Sequence, residues 1–455
     1  MRRFAYTQLL EWKQTTDNER KPLILEGARQ VGKTWIARKL GENEFENYIE
    51  LNFEKQTALR SLFELDFDFN RILLAISAFS GKKVIPGKTL LFLDEIQWAP
   101  RGLLSLKYFN DEFPQLHVIA AGSLLGLMNH EGESFPVGKV SFLKIFPMTF
   151  DEFLVATGKE SLFDVLKSRD WTLMNILADQ FEEVLRNYYY IGGMPEAVEK
   201  FITTHDYAKV RRVQRELIKS YKRDFSKHAP NDVLPRISLV WDSIPTHLAK
   251  ENKKFVYAVI KFGARAKEYE TAIKWLVDAG LAYRHTRVSK GEVPLDEFED
   301  TESFKLFVLD VGILGAMCSL DRRTLLDGSE FYKQYKGALT EQYVLQELIC
   351  RSTDEDDVKL HYWAPDTGQA EVDFVIQAGG QIAPLEAKAE ISVKAKSLKV
   401  FSSQYKTPLI FRTSLLPYFK GKNVTDIPLY AVSKVPEIMR SENSQIAMIS
   451  GKTGK

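Results

Sequence analysis

GARQVGKT, residues 27–34, follows the apolar run PLILE and precedes the helix-like WIARKL. It matches the pattern G-x-x-x-x-G-K-[ST] in the strand–turn–helix setting that gives the pattern its physical meaning. A turn of this kind aims successive backbone N–H groups at phosphates, so Gly27, Ala28, Arg29, Gln30, Val31, Gly32, Lys33 and Thr34 together form a candidate phosphate cradle. Gly27 and Gly32 permit close backbone approach, and the following helix presents its positive end. Lys33 is expected to reach the β- and γ-phosphates, and the Thr34 hydroxyl to coordinate magnesium. ATP and Mg are thus the expected ligands.

The runs PLILEG, LLFLDE and VIAAGS, with a less continuous YIELNF, are apolar on both faces and end in polar residues. That pattern reads as buried parallel strands joined by crossover helices, an α/β sheet whose ligands bind at the carboxyl ends of the strands. In LLFLDEIQ, Asp94 ends a strand and can hold magnesium, while Glu95 is placed as general base for an attacking water. HVIAAGS ends on Ser123, which either senses the γ-phosphate or simply forms the turn.

A chain of 455 residues is long enough for two or three domains, and its 45% hydrophobic and 27% charged content is that of a globular protein. Lysine plus arginine (62) nearly cancels aspartate plus glutamate (61), which excludes a global basic field, so any nucleic-acid surface is local. Cys318 and Cys350 are too few for a disulfide framework or a four-thiolate zinc site. The start, MRRFAYTQLLEWKQ, builds no signal-peptide core, and no apolar run approaches the roughly 20 residues that span a bilayer. A cytoplasmic location without membrane contact is expected.

From about Asp151 to Arg287 the apolar spacing becomes helical. In VRRVQRELIKSYKRDF the stripe Leu217, Ile218, Tyr221 and Phe225 faces away from Arg211, Arg215, Lys219 and Lys222, a basic face that is either solvated or in contact with nucleic-acid phosphates. Lys253 to Val288 reads as helix, turn at GARAKEY, second helix with Tyr269, Ala272, Ile273 and Leu276 inward, and a strand pair from Leu281. This resembles a winged helix-turn-helix, whose Arg265, Lys267 and Lys274 either meet DNA or pack domains together. SKGEVPLDEFEDTE, from Ser289, reads as a loop or linker.

Beyond it, a helix near Leu339–Leu348 and strands around Val372–Ile376 and Ile382–Ala387 form a third unit. YWAPDTGQAEVDFVIQAGGQIAPLEAKAE places Asp373 on one strand and, after a Gly-Gly turn, Glu386 and Lys388 on one face of the next. Two carboxylates can hold a divalent ion while the lysine orients water, and Glu341 in KGALTEQYVLQEL is a further candidate ligand. This set is similar to the PD-(D/E)xK nuclease superfamily, with Asp373, Glu386 and Lys388 on its motif and Glu341 on its helix acid; such folds also serve as non-cleaving scaffolds.

GARQVGKT, LDEIQ, AAGS, FPVGKVSFLKIFPMTFDEF and YYYIGGMPEAV together resemble, over nearly the whole chain, the prokaryotic AAA-family ATPases related to the archaeal ATPases, which carry a conserved carboxyl-terminal domain of unknown function. The resemblance implies an α/β P-loop ATPase domain over residues 1–150, a helical, winged-helix-like region over 151–290 and an α/β PD-(D/E)xK-like domain over 291–455. It implies an ATPase that controls a metal-dependent DNA nuclease, or a nucleotide-switched regulator that binds nucleic acid or protein without cutting. DNA and a second copy of the chain are candidate partners. Where that group often has Gly-Arg, this chain has Gly138-Lys139, so Lys139 lacks the bidentate fork of an arginine finger, for which Arg101, Arg186 and Arg223 are alternatives.

Overall fold

The computed structural model describes residues 3–122, 136, 138–321, 330–352, 358–367, 370–389 and 396–442. The chain divides into two compact units, Met1–Phe146 with Asp278–Leu281, and Pro147–Val277 with Ala282–Lys455.

Among its described residues the first unit holds five parallel strands, β1 (Leu23–Glu26), β2 (Asn47–Asn52), β3 (Thr89–Asp94), β4 (His117–Ala121) and β5 (Ser141–Lys144), in the order β2-β3-β4-β1-β5. The four apolar runs of the sequence are β1 to β4. Every residue of β3 and of β4 is buried, as a strand covered on both faces requires. The connections run through helices at Lys33–Glu44, Thr57–Leu65, Phe69–Ser80 and Pro100–Glu112. On one side of the sheet Leu51, Leu93, Phe63, Phe69, Leu106 and Phe109 belong to one buried cluster. Asn52 pairs with Asp94, Asp94 with Ala121 and Ala121 with Leu25, so four strands bring their carboxyl ends to one row, directly beneath the Gly27–Thr34 turn.

The second unit carries a mixed sheet. Its described strands are β6 (Ala282–Val288), β7 (Glu299–Val308), β8 (Lys359–Trp363), β9 (Val372–Ala378), β10 (Gln381–Ala387), β11 (Phe411–Ser414), β12 (Phe419–Lys420) and β13 (Thr425–Pro428). They lie in the order β12-β13-β11-β10-β9-β8-β6-β7. The boundary expected at residue 290 is therefore not a break in the fold: β6 and β7 belong to the same sheet as the carboxyl-terminal strands. The stretch from Ser289, read as a linker, is the β6–β7 connection, with Leu295 fully buried and its N–H donated to Gln377 Oε1 at 2.9 Å. Helix Ala266–Asp278 does turn Tyr269, Ala272, Ile273 and Leu276 inward. The hairpin after it, however, is an edge of the large sheet rather than a free wing, because β6 also pairs with β8.

The PMTF (147–150) and YYYIGGMPE segments meet inside this unit. Met148 N–H donates to Gly193 O at 2.7 Å, and Tyr188 Oη donates to Met148 O at 2.5 Å. Asp310 Oδ2 accepts the Gly193 N–H at 2.6 Å, while its Oδ1 caps helix Val311–Met317 at Ile313 N. A Cβ at Gly193 would lie 1.9 Å from Met148 O, so only glycine allows this approach. Helix Glu330–Ile349 extends well beyond the expected 339–348. Its Gln342 exchanges two hydrogen bonds with the Val308 backbone, fixing β7 against the helix.

Candidate functional site

In the first unit, Gly27 (φ +128) and Gly32 (φ +100) hold the turn in left-handed backbone, and Gln30 shares it at φ 68. A Cβ at Gly27 would stand 2.2 Å from Ile145 O, on the segment that follows β5. Buried Arg3 donates to Val31 O at 2.9 Å and to Phe146 O at 2.6 Å, tying the turn to that same segment. Lys33 Nζ donates to Gly27 O at 2.7 Å and to Ala28 O at 2.8 Å, so its ammonium lies within the concave side of the loop. Burial brings Lys33 down to about 8 against the raising effect of Glu95 and Asp94. Thr34 Oγ1 lies 3.3 Å from each Asp94 carboxylate oxygen, and Asn52 Nδ2 donates to Asp94 Oδ2 at 3.1 Å. Burial, then Glu95 and Glu50, lift Asp94 to about 6, with Asn52 and Thr34 opposing. Glu95, at φ 53, ends the strand in left-handed backbone, and its carboxylate accepts from Gln97 Nε2.

This donor set fits magnesium: an alcohol and a carboxylate, both hard oxygen ligands, converge beside a lysine and a row of loop N–H groups. Thr34 and Asp94 would hold the ion, the loop and Lys33 the phosphates, and the ion would supply charge neutralisation on the phosphate oxygens.

In the second unit the expected constellation comes together on β9 and β10. Leu385 pairs with Phe374, which sets Glu386 beside Asp373, and Asp373 Oδ2 accepts the Ala387 N–H at 2.9 Å. Lys388 Nζ donates to Glu386 Oε1. Glu341 stands nearby on its helix, but it bonds two lysines: Lys253 Nζ at 2.5 Å and Lys305 Nζ at 3.4 Å. Lys305 also holds Glu371 at 2.6 Å. Among the described residues no three His, Cys, Asp or Glu side chains converge closely enough to share a metal ion. Lysines occupy both Glu341 oxygens and Glu386 Oε1, while Asp373 Oδ2 accepts a backbone N–H, so the expected joint ligation by Glu341, Asp373 and Glu386 is not the arrangement seen among the described residues. Burial opposes ionisation of Glu341, but Lys305 and Lys253 outweigh it and bring the carboxyl down to about 2. For Asp373 burial, reinforced by Glu341 and Glu386, holds the carboxyl well above the ordinary range.

Residues 19–154 match the family model described as "AAA domain". The first unit is similar to AAA-type P-loop domains. Residues 182–324 and 336–432 match two domains of unknown function, DUF8612 and DUF4143. None of the curated proteins matches the chain. Among solved structures, the Walker-type ATPase PABY2304 of Pyrococcus abyssi is 16% identical, with 70% of this chain and 95% of that one covered and a TM-score of 0.42. A structure of Drosophila ORC bound to DNA is 12% identical over the same shares, with a TM-score of 0.28. C. elegans PCH-2 is 11% identical, covering 44% of this chain and 58% of its own, with a TM-score of 0.26.

In the first unit, Lys33, Thr34, Asp94 and Glu95 lie together as the sequence pattern predicts, whereas Ser123 lies outside the described residues. Asn52 and Arg3 escaped sequence reading. The first carries a signal, since it ends the YIELNF run on the strand beside Asp94; the second carries none. Lys139 Nζ pairs with Asp111 at 2.7 Å on the surface, Arg186 with Glu182 at 3.0 Å, and Arg101 stacks over Phe67.

The basic face of helix Tyr207–His228 is narrower than expected. Arg211 is buried, its guanidinium over the Tyr190 ring and bonded to Gln214 and to Gly312 O. Exposed Arg215, Lys219 and Lys222 remain, lining a cleft of about 320 Å³ with Pro245 and Met317, and Lys222 is neutralised by Asp242 at 2.7 Å. No described helix is long and apolar enough to cross a membrane.

Proposed function

We propose that the chain is a Mg-dependent ATP hydrolase whose nucleotide state switches the binding of a nucleic-acid or protein partner by the second unit. The convergence of Lys33, Thr34 and Asp94 at the end of the phosphate loop carries this reading. In it, Lys33 and the loop N–H groups hold the β- and γ-phosphates, and Glu95 accepts the proton of the attacking water as its oxygen bonds to phosphorus and the ADP oxygen leaves. Arg215 and Lys219, on the open side of their helix, are the side chains offered to an anionic partner. A homo-oligomer would let Arg101, Arg186 or Arg223 of one copy approach the γ-phosphate held by another. Phosphate release from ATP, abolished when EDTA removes Mg and restored when Mg is returned, tests the hydrolase reading; turnover unaffected by EDTA contradicts it.

A second reading, an ATP-controlled metal-dependent DNA nuclease acting through Asp373, Glu386 and Lys388, is favoured by one observation: Glu386 Oε2 is buried and has no hydrogen-bond partner. Cleavage of single- or double-stranded DNA in Mg or Mn, lost in Asp373→Ala and in Lys388→Ala, would establish it. Intact ATP hydrolysis with no cleavage supports the switched binding protein instead.

A further inference from the structure

We propose that Lys305 takes the place of the divalent cation in the carboxyl-terminal constellation, its ammonium bridging Glu341 and Glu371 so that the cluster holds together without metal. The inference deepens the non-cleaving reading of the second unit and does not depend on the ATPase reading.

Lys305 lies on β7, and only 1% of its side chain is exposed. An ammonium so deeply buried is stable only when carboxylates surround it. Its Nζ is 2.6 Å from Glu371 and 3.4 Å from Glu341, and its charge also acts on Asp373 and Glu386. Lys253 binds Glu341 from another side, and Lys388 binds Glu386. Three ammoniums thus pair with three glutamates, and the fourth carboxyl, Asp373, accepts the Ala387 N–H instead. A magnesium ion demands oxygen ligands at about 2.0–2.1 Å in near-octahedral array. The Glu341 oxygens are each engaged by a lysine, Oε1 by Lys253 and Oε2 by Lys305. An ion drawn to Glu341 and Asp373 would therefore have to displace the chain's own cation and bear its repulsion.

The test uses the full-length chain without nucleotide and Mn²⁺ as the probe. Electron paramagnetic resonance titration should show the same Mn²⁺ binding in the wild type and in Glu341→Gln. Lys305→Ala should melt lower, on the order of 10 °C. Millimolar Mn²⁺ should recover part of that loss, and the recovery should vanish in the double variant Lys305→Ala/Glu341→Gln. A wild-type Mn²⁺ site that Glu341→Gln or Asp373→Asn removes overturns the proposal, as does a Lys305→Ala variant that melts normally or gains nothing from Mn²⁺. Where Lys305→Ala does not fold, the comparison of wild type with Glu341→Gln decides. Mn²⁺-dependent DNA cleavage lost in Asp373→Asn would also sink the non-cleaving reading, whereas a lost Mn²⁺ site without any cleavage would sink only the role of Lys305.

Discussion

Asn52 joins the second strand to the proposed ATP site. Its amide N–H is donated to Asp94 at 3.1 Å, which steadies the carboxylate opposite Thr34. Partners that orient a metal ligand in this way matter nearly as much as the ligand. Asn52→Ala should therefore reduce ATP turnover about tenfold and raise the Mg concentration needed for half-maximal rate; steady-state kinetics over a Mg series checks this, and an unchanged Mg requirement would exclude the role. A second residue, Glu347, answers to pH rather than to nucleotide. Its Oε1 accepts the Phe150 N–H at 2.8 Å at the start of helix Phe150–Ala156, and Arg351 stands 3.9 Å away. Burial, opposed by Arg351 and reinforced by Asp151, raises the carboxyl to about 8. Because the folded value lies above the unfolded one, about 4.3, the folded state binds the extra proton between the two. The stabilisation is complete below the unfolded value and is lost as pH rises through about 8, at up to about 1.4 kcal/mol per pH unit. Glu347→Gln keeps the acceptor and removes the titration, so its denaturant midpoint should gain on the wild type from pH 5 to pH 8. A constant difference over that range would contradict the assignment.

At the scale of elements, the Gly192–Gly193 turn locks two helices to Met148 and Asp310. Gly193→Ala forces a Cβ to 1.9 Å from a backbone carbonyl that cannot swing aside. We expect a loss of roughly 1–3 kcal/mol, read by urea denaturation, and a cost near zero would show that the turn relaxes. The first sheet was legible in the sequence because buried parallel strands read as continuous apolar runs, and the phosphate loop because its backbone needs fix glycines at set positions. Helix Ala266–Asp278 was legible by its period. The expected boundary at residue 290 falls between β6 and β7, since local patterning gives a strand no address; only pairing with β7 and β8 places β6 in the carboxyl-terminal sheet. Asp373, Glu386 and Lys388 were legible as neighbours because hairpin spacing is local. Lys253 and Lys305, which pair with Glu341, and Glu371, which pairs with Lys305, were not, because no local pattern links positions so far apart in the chain. Arg211 misled for a related reason: helical period places it on the basic face, but packing on Tyr190 buries it.

For the molecule as a whole, one unit carries the proposed nucleotide site and the other an acidic cluster paired with lysines and a short basic face. Near-neutral net charge leaves binding of any anionic partner to such local surfaces rather than to long-range attraction. The proposed nucleotide switch depends on ATP turnover at Lys33 and Glu95. The measurement that tests this most directly pairs fluorescent ATP binding with phosphate release in Mg for the wild type, Lys33→Ala and Glu95→Gln. The wild type should bind and hydrolyse, Lys33→Ala should lose binding, and Glu95→Gln should bind ATP but release phosphate at least about a hundredfold more slowly. Normal hydrolysis by Lys33→Ala would contradict the proposed switch.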